Sequence, residues 1–396
     1  MKNTKSKCSQ NTLIILCWLV YTFAYLGRYS YNANISLIMD EFKVNHAGAG
    51  VVTTCFFFAY GIGQVVNGIF CARYNKKYLF PIVLFASSLL NILALFVSFP
   101  FFKYMWLING ILQAFLWSSI INILGDYLDS DHMTRALVLM GTSATVGTIF
   151  AYGCSAFFVW LGNYRVMFMF AAFMMTLIGI VWLLLFHPEK KDLKEETSVE
   201  NEKTGGIKTI FVMLSVLAFF SVVTNLVKDG LSTWVPAILT EEYNMKDEVA
   251  ILSSLVLPLL GTLGAFVAIG LNKYIKNFVT LSSALFVVTA LTVFGIMTVG
   301  RQSAIVMIVC FGIVLCLMHS TNNVFTSIAP LKMRDKMNPG KLAGIMNGFC
   351  YLGSTISSYG LGFIADNFGW QSVFMLLLVL SVVCAAMGVI FKGKTN

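Results

Sequence analysis

The sequence predicts an all-α polytopic membrane protein, with 12 transmembrane helices in two pseudo-symmetric six-helix bundles. Three observations carry that expectation. The chain is 58% hydrophobic and only 11% charged, whereas soluble domains carry about 25% charged residues. Cutting it at charges and turn residues leaves twelve apolar runs of 20 or more residues, and ~20 helical residues cross the hydrocarbon core. Finally, a single sizeable polar stretch divides these runs six and six. A membrane barrel does not fit, because its strands are ~10 residues long and alternate with period two.

The elements follow in order. Thr12–Ile38 comes after Lys2, Lys5 and Lys7. It is too long for a signal peptide and lacks a small-residue cleavage site, so it reads as an uncleaved first span. Ala47–Cys71 ends at the basic turn around Arg73, Lys76 and Lys77. Tyr78–Ser98 stops before Pro100, Tyr104–Leu124 before Gly125-Asp126, and Arg135–Leu161 before Gly162-Asn163. Val166–Phe186 closes the first set. The second set is Thr209–Leu239, Ala250–Leu271, Thr280–Val299, Ser303–Ile328, Leu342–Ala365 and Ser372–Phe391.

Charge sets the orientation. With the N-terminus inside, the inner segments hold 20 of the 27 lysines and arginines, and the outer loops hold only Lys43, Lys103, Arg165, Lys246 and Arg301. The positive-inside rule then places both termini in the cytoplasm of a multi-pass cell-membrane protein. The net charge of +9 is therefore topological and implies no nucleic-acid partner. The cysteines are scattered without a C-x-x-C pair, which indicates neither a metal site nor a disulfide framework. No P-loop is present, so ATP drive is not encoded. No activated nucleophile or paired carboxylates appear at catalytic spacing. The expectation is a protein that is not an enzyme, needs no cofactor or metal, and works as a monomer in the bilayer.

The polar stretch, His187 to Lys208, mixes both charges and ends in Gly205-Gly206. Lacking apolar periodicity, it reads as a solvated cytoplasmic linker. The organisation expected is a bundle over residues 1–186, a linker over 187–208 and a bundle over 209–396. Weak internal similarity supports a parallel repeat. "GIFCARYNKK" from Gly68 is echoed by "GLNKYIKN" from Gly270, and "GNYRVMF" from Gly162 by "GWQSVFM" from Gly369. Offsets near 200 residues recur, and parallel repeats meeting at a central cavity are a transporter architecture.

Two cations lie inside spans, Arg28 in the first and Lys228 in the seventh. A mid-membrane arginine costs roughly 2.5–3.5 kcal/mol on insertion scales, so it persists where it faces a cavity or a partner. Helical spacing builds polar stripes around both. Tyr21, Tyr25, Arg28 and Asn32 share one face; Ser221, Asn225, Lys228 and Ser232 share another. Asn347, Tyr351, Ser354 and Ser358 form a third, Tyr60, Gln64 and Asn67 a fourth, and His319 opens the run His319 to Asn323. Such stripes belong against each other or water rather than lipid. Of 18 acids, only Asp229 lies well inside a span. As the neighbour of Lys228 it points about 100° away on a helix, and is expected to pair elsewhere.

Over essentially its whole length the chain resembles the major facilitator superfamily. "G-x-x-x-x-R-x-x-K-K" from Gly68 to Lys77 is similar to that family's cytoplasmic signature, with Ala72 and Asn75 replacing the usual Asp and Gly. "Y-x-x-x-Y-x-x-R" ending at Arg28, "K-x-G-x-x-x-W-x-P" from Lys228 to Pro236 and "N-G-F-x-Y-L-G-S" from Asn347 to Ser354 resemble the organophosphate:phosphate antiporter family. The resemblance implies that Arg28 and Lys228 grip a phosphate while Tyr21, Tyr25, Tyr60 and Tyr351 shape the pocket. The chain departs from the family pattern at three places. Gln64 replaces a common lysine, Ala144 lies near a missing histidine, and Thr233 precedes the tryptophan where an Asp is usual.

The expectation is a secondary carrier that exchanges a small phosphorylated metabolite, a sugar phosphate or glycerol phosphate, for inorganic phosphate by alternating access. Arg28, Lys228, Tyr21, Tyr25, Tyr60, Gln64, Tyr351, Asn347 and His319 would bind substrate, with Asp229 a coupling candidate. Two cations on different halves repel in an empty carrier, and a bound anion relieves that repulsion. Two other readings stand: a proton-coupled carboxylate symporter using Asp229 or His319, and a ligand sensor that keeps the fold without transporting.

Overall fold

The computed structural model describes residues 9–70, 74–187, 207–333, 337 and 339–391. Most of the expected linker, 188–206, and the centre of the Gly68–Lys77 signature, Cys71–Arg73, lie outside the described residues. The chain forms α1 (Gln10–Ala33), α2 (Ile35–Phe42), α3 (His46–Phe70), α4 (Lys76–Leu93), α5 (Phe102–Tyr127), α6 (Ser130–Trp160) and α7 (Arg165–Leu185). Then come α8 (Ile207–Tyr243), α9 (Asp247–Ser253), α10 (Val256–Tyr274), α11 (Phe278–Thr298), α12 (Ala304–Asn323), α13 (Ala329–Lys332), α14 (Pro339–Phe368) and α15 (Trp370–Phe391). Among the described residues, 11 spans are long and apolar enough to cross a membrane. The remaining expected run, Leu342–Ala365, lies within the 30-residue α14. The protein is a multi-pass membrane protein with the predicted twelve-span, two-bundle fold.

Three runs expected to be continuous are interrupted, each at an identifiable polar group or proline. The first breaks at Asn34, whose amide donates to the Ser30 carbonyl at 2.8 Å and to Ser155 Oγ at 3.1 Å. The eighth breaks at Ser254-Leu255. Pro258, four residues beyond Ser254, has no N–H for its carbonyl and its ring excludes a regular turn there. The tenth widens into a π turn over Val324–Ile328 just before Pro330. Outside the spans, Asp129 caps α6 by accepting the His132 backbone N–H at 2.9 Å and facing its Nδ1 at 2.8 Å. These bonds hold its carboxyl at about 2.

Cα packing divides the chain into two compact units, Met1–Asn34 with Ala59–Val199, and Ile35–Phe58 with Glu200–Asn396. In the first, α1 packs on α6 and α4 on α7; in the second, α8 packs on α14 and α11 on α15. Counted as spans, these pairs are 1 with 5 and 3 with 6, then 7 with 11 and 9 with 12. The pairing scheme is thus repeated six spans later.

The repeat reaches individual residues. Gly162 and Gly369 join the fifth to the sixth and the eleventh to the twelfth span at φ of 86° and 76°, a region that only glycine enters without strain. Gly147 and Gly353 occupy matching places in α6 and α14. A Cβ at Gly147 would stand 2.5 Å from the Thr22 carbonyl oxygen of α1, and one at Gly353 would collide with the Val222 carbonyl of α8.

The apolar core of the first unit runs from Leu13, Leu16 and Val20 to Ile120, Met140 and Trp182. Helix association in lipid depends on close packing and interhelical hydrogen bonds more than on hydrophobicity. Asn91 supplies such bonds. Its Oδ1 accepts from Ser30 Oγ at 2.7 Å, and its Nδ2 reaches the Gly27 carbonyl at 3.3 Å. These contacts fix the register of α1, and so the depth of Arg28.

Candidate functional site

In the first unit the predicted stripe of α1 is real and surrounds a buried cation. Arg28 is 6% exposed. Its guanidinium carbon stands 4.4 Å from the ring centroids of both Tyr25 and Tyr60. Quadrupoles of that geometry stabilise a desolvated cation by about 2 kcal/mol. Its Nε donates to Gln113 Oε1 at 3.2 Å.

Further side chains hold this arrangement in place. Gln113 Nε2 donates to Asn109 Oδ1 at 3.1 Å, and Asn109 Nδ2 donates to the Gly27 carbonyl at 3.3 Å, one residue before Arg28. Tyr60 is fully buried; its hydroxyl accepts from Gln64 Nε2 at 2.8 Å and lies 3.4 Å from that of Tyr21. Tyr21 in turn packs on Tyr25 at 5.2 Å and on Trp117 at 5.0 Å. The structure therefore gathers Tyr21, Tyr25, Arg28, Tyr60 and Gln64 into one cluster.

Gln113 and Asn109 are additions to the predicted set. Their signal was present in the fourth span, as two amides four residues apart in a mostly apolar run. The rule that picked out the other stripes applies to them equally.

In the second unit Lys228 has a carboxylate beside it. Its Nζ lies 3.5 Å from Asp229 Oδ1, with side chains 13% and 14% exposed. Ser354 Oγ of α14 donates to Asp229 Oδ2 in a short hydrogen bond. The sequence expectation that Asp229 points away from Lys228 is corrected here. The long, flexible lysine stem swings its ammonium back across the angle between adjacent helical positions. Asn347 and Tyr351 sit on α14 seven and three residues before Ser354 and are half-buried, so they share its helix face.

His319 is packed into a notch of the second unit. Cβ atoms added at Gly261 and Gly264 of α10 would stand 2.9 and 2.7 Å from its side chain. The neighbouring Ser320 Oγ donates to the Gly264 carbonyl at 2.8 Å. The histidine is thus set where α10 and α12 meet, and packing against α10 explains its position.

Chemically, the first unit presents a desolvated guanidinium whose orientation is fixed by neutral groups. A guanidinium fork matches carboxylate or phosphate oxygens in bidentate fashion. The second unit presents an ammonium with an internal carboxylate next to it. The two cations thus stand in surroundings of different kinds.

A family model of the Major Facilitator Superfamily matches residues 17–338. Among curated proteins, the chain is similar to the membrane sensor protein UhpC of Escherichia coli, 23% identical over 94% of this chain and 90% of that protein. It is also similar to a probable hexose phosphate transport protein of Chlamydia muridarum, at 21% over 94% and 87%. The glycerol-3-phosphate transporter of Bacillus subtilis matches at 21% over 98% and 95%. Among solved structures, a bacterial homologue of the human lysosomal transporter Spinster, inward-facing and occupied, superposes with a TM-score of 0.80 at 13% identity, covering 99% and 98% of the two chains. A D-xylose–proton symporter gives 0.77 at 13%, covering 98% of each.

Proposed function

The chain belongs to the Major Facilitator Superfamily, and on that premise we propose that it is a secondary transporter for a small organic anion. The reading we favour is a phosphorylated metabolite, a sugar phosphate or glycerol phosphate, exchanged for inorganic phosphate by alternating access. The observation that carries it is Arg28, a cation 6% exposed with its Nε held by Gln113 and its flanks taken by two phenol rings. Such an arrangement fits an anion with paired oxygens. The similarity to hexose phosphate and glycerol-3-phosphate transport proteins supports phosphate as the anionic group.

In this reading Arg28 and Lys228 both take charge from the substrate. Tyr21, Tyr25, Tyr60, Gln64, Asn347, Tyr351 and His319 shape its surroundings. Asp229 is the internal counter-ion that the substrate displaces from Lys228. In this reading the carrier works as a monomer with both termini in the cytoplasm, an orientation that the cation distribution supports.

The test is uptake into proteoliposomes preloaded with phosphate, against a panel of sugar phosphates, glycerol phosphate and carboxylates. Phosphorylated compounds should enter, and internal phosphate should accelerate them. Uptake of carboxylates alone, driven by an inward proton gradient, would overturn the exchange reading in favour of proton symport. A second reading has its own support in the similarity to the sensor UhpC. If the chain binds phosphorylated compounds without moving them in either direction, it is a sensor on a transporter fold.

A further inference from the structure

A second cluster of titratable groups lies at helix ends of the second unit. It joins the start of α3 to the ends of α8 and α14 and the start of α15, all within the second unit. His46, the first residue of α3, sits between two carboxylates. Its Nδ1 is 2.7 Å from Asp366 Oδ1 and its Nε2 is 2.7 Å from Glu241 Oε1. Asp366 also accepts the backbone N–H groups of His46 at 3.0 Å and Ala47 at 2.7 Å. Glu241 Oε2 accepts the indole N–H of Trp370 at 2.8 Å. The imidazole meets Trp234 and Trp370 edge to face, at 5.4 and 5.1 Å. Among the described residues, Glu241 of α8 and Asp366 of α14 are the titratable groups set against the ring; α15 contributes Trp370.

This geometry specifies a protonation state. An ionised carboxylate only accepts hydrogen bonds, and a neutral imidazole has one donor and one acceptor. Two carboxylates, one on each ring nitrogen, are both satisfied only by the imidazolium. Loss of one proton leaves a lone pair facing a carboxylate oxygen. The loss falls on Nε2, because Asp366 is anchored by two backbone N–H groups as well as by the ring. Glu241, its side chain 41% exposed, offers that proton a route to water. Deprotonation therefore detaches Glu241 of α8 from His46 while α14 stays capped onto α3.

The helices joined here are packed tightly below the histidine. Thr54 Oγ1 of α3 donates to the Thr355 carbonyl of α14 at 2.9 Å, and a Cβ at Gly362 would stand 2.8 Å from the His46 carbonyl oxygen. By span order, the joined ends are those of spans 7 and 11 and the starts of spans 2 and 12. They share the membrane side opposite Gln10.

We propose that His46 is a proton-binding site on that side, whose proton fastens α3 to α8 and whose release to water loosens that fastening during the transport cycle. The proposal rests on the transport reading for its role, though not for its chemistry. The proton moves from Nε2 to solvent, and nothing is oxidised or reduced.

The test uses the intact chain in nanodiscs and reads intrinsic tryptophan fluorescence against pH, because an imidazolium quenches an adjacent indole. The wild type should show a titration that His46→Gln removes. Glu241→Gln should keep the folded protein and move the midpoint down by about one pH unit, since one carboxylate neighbour is gone. In parallel, exchange of labelled inorganic phosphate in phosphate-loaded proteoliposomes is measured as the pH opposite the termini is varied. Wild-type exchange should vary several-fold across the same midpoint, and the variation should disappear in His46→Gln. A fluorescence titration unchanged in both variants overturns the proton site whatever transport does. If wild-type liposomes exchange nothing while the titration is lost in His46→Gln, the transport reading fails and the proton site stands.

Discussion

Arg28 and Lys228 are corresponding residues in a repeated architecture, yet their surroundings differ in kind. Arg28 is 6% exposed, flanked by two tyrosine rings and bonded to an amide. Lys228 is 13% exposed and has a carboxylate 3.5 Å away, itself held by Ser354. The first cation is flanked by two ring quadrupoles and an amide dipole, which orient it. The second is balanced by a neighbouring acid, which in the transport reading an incoming anion replaces. An arginine suits the first role because its fork is rigid and its charge permanent; a lysine suits the second because a mobile point charge can exchange partners. Under the transport reading, geometry is set in one unit and charge balance is switched in the other.

The largest expected effect breaks the first half of the comparison. Arg28→Ala should abolish phosphate exchange, and Arg28→Lys should lower kcat/KM by roughly 100-fold although the charge is kept, because the bidentate fork is lost. Lys228→Arg should stay within about tenfold of wild type, since a point charge is replaced by another cation. Wild-type exchange in Arg28→Ala would remove this arginine from the site.

Gln113→Leu should come next. It strips the acceptor from a buried Nε–H, a loss worth about 1–3 kcal/mol, or roughly 5- to 160-fold in kcat/KM. Gln113→Glu separates orientation from charge. A carboxylate still accepts from Nε but cancels the guanidinium, so it should lower phosphate affinity more than Gln113→Leu does. Equal thermal unfolding of the two variants would show that the difference lies in binding. Equal transport by both would mean that orientation alone is at stake.

Much of this contrast was legible in the chain before any coordinates. The twelve spans followed from length and hydropathy because lipid leaves helices few alternatives. The two intramembrane cations stood out for the same reason. The turn glycines Gly162 and Gly369 were visible as a repeat, and their positive φ explains why the residue recurs. What escaped were features set by contact rather than by period. The break at Asn34 depends on Ser155, 121 residues away. The Lys228–Asp229 pair depends on a side-chain rotamer that helical spacing does not specify. His46 escaped as well, because its partners Glu241 and Asp366 arrive from 195 and 320 residues along the chain. Gln113 escaped for a different reason: its stripe was there to be read, beside Asn109.

A milder prediction addresses the second half of the comparison. If Asp229 is the internal competitor for Lys228, Asp229→Asn should retain phosphate exchange and lower the KM for phosphate several-fold, because a partly buried ion pair no longer has to be replaced. Ser354→Ala should act in the same direction and more weakly, since it only loosens the acid. A proton-coupled carrier would behave oppositely: Asp229→Asn would abolish accumulation driven by a proton gradient. Abolished phosphate exchange in Asp229→Asn would therefore overturn its assignment as a displaceable counter-ion.

The smallest effect, and the finest discrimination, comes from Gln64. Its amide donates to the Tyr60 hydroxyl at 2.8 Å, and Tyr60 in turn flanks Arg28. Gln64→Lys keeps a donor within reach of that hydroxyl and adds a cation near Arg28. At an effective dielectric near 20 and a separation of ~8 Å, one added charge interacts with each substrate charge by about 2 kcal/mol before desolvation is subtracted. Repulsion from Arg28 removes much of that gain. The net expectation is a two- to fivefold lower KM for the dianion, with less change for the monoanion, whose charge is half as large. Phosphate monoesters change between these forms near pH 6, so competition by a sugar phosphate at pH 5 and pH 8 separates them in one experiment. A Gln64→Lys carrier that gains at pH 8 and not at pH 5 reads dianions, and wild-type Gln64 then sets a preference for the lesser charge. If no phosphorylated compound competes in either protein, the substrate is an anion of another class.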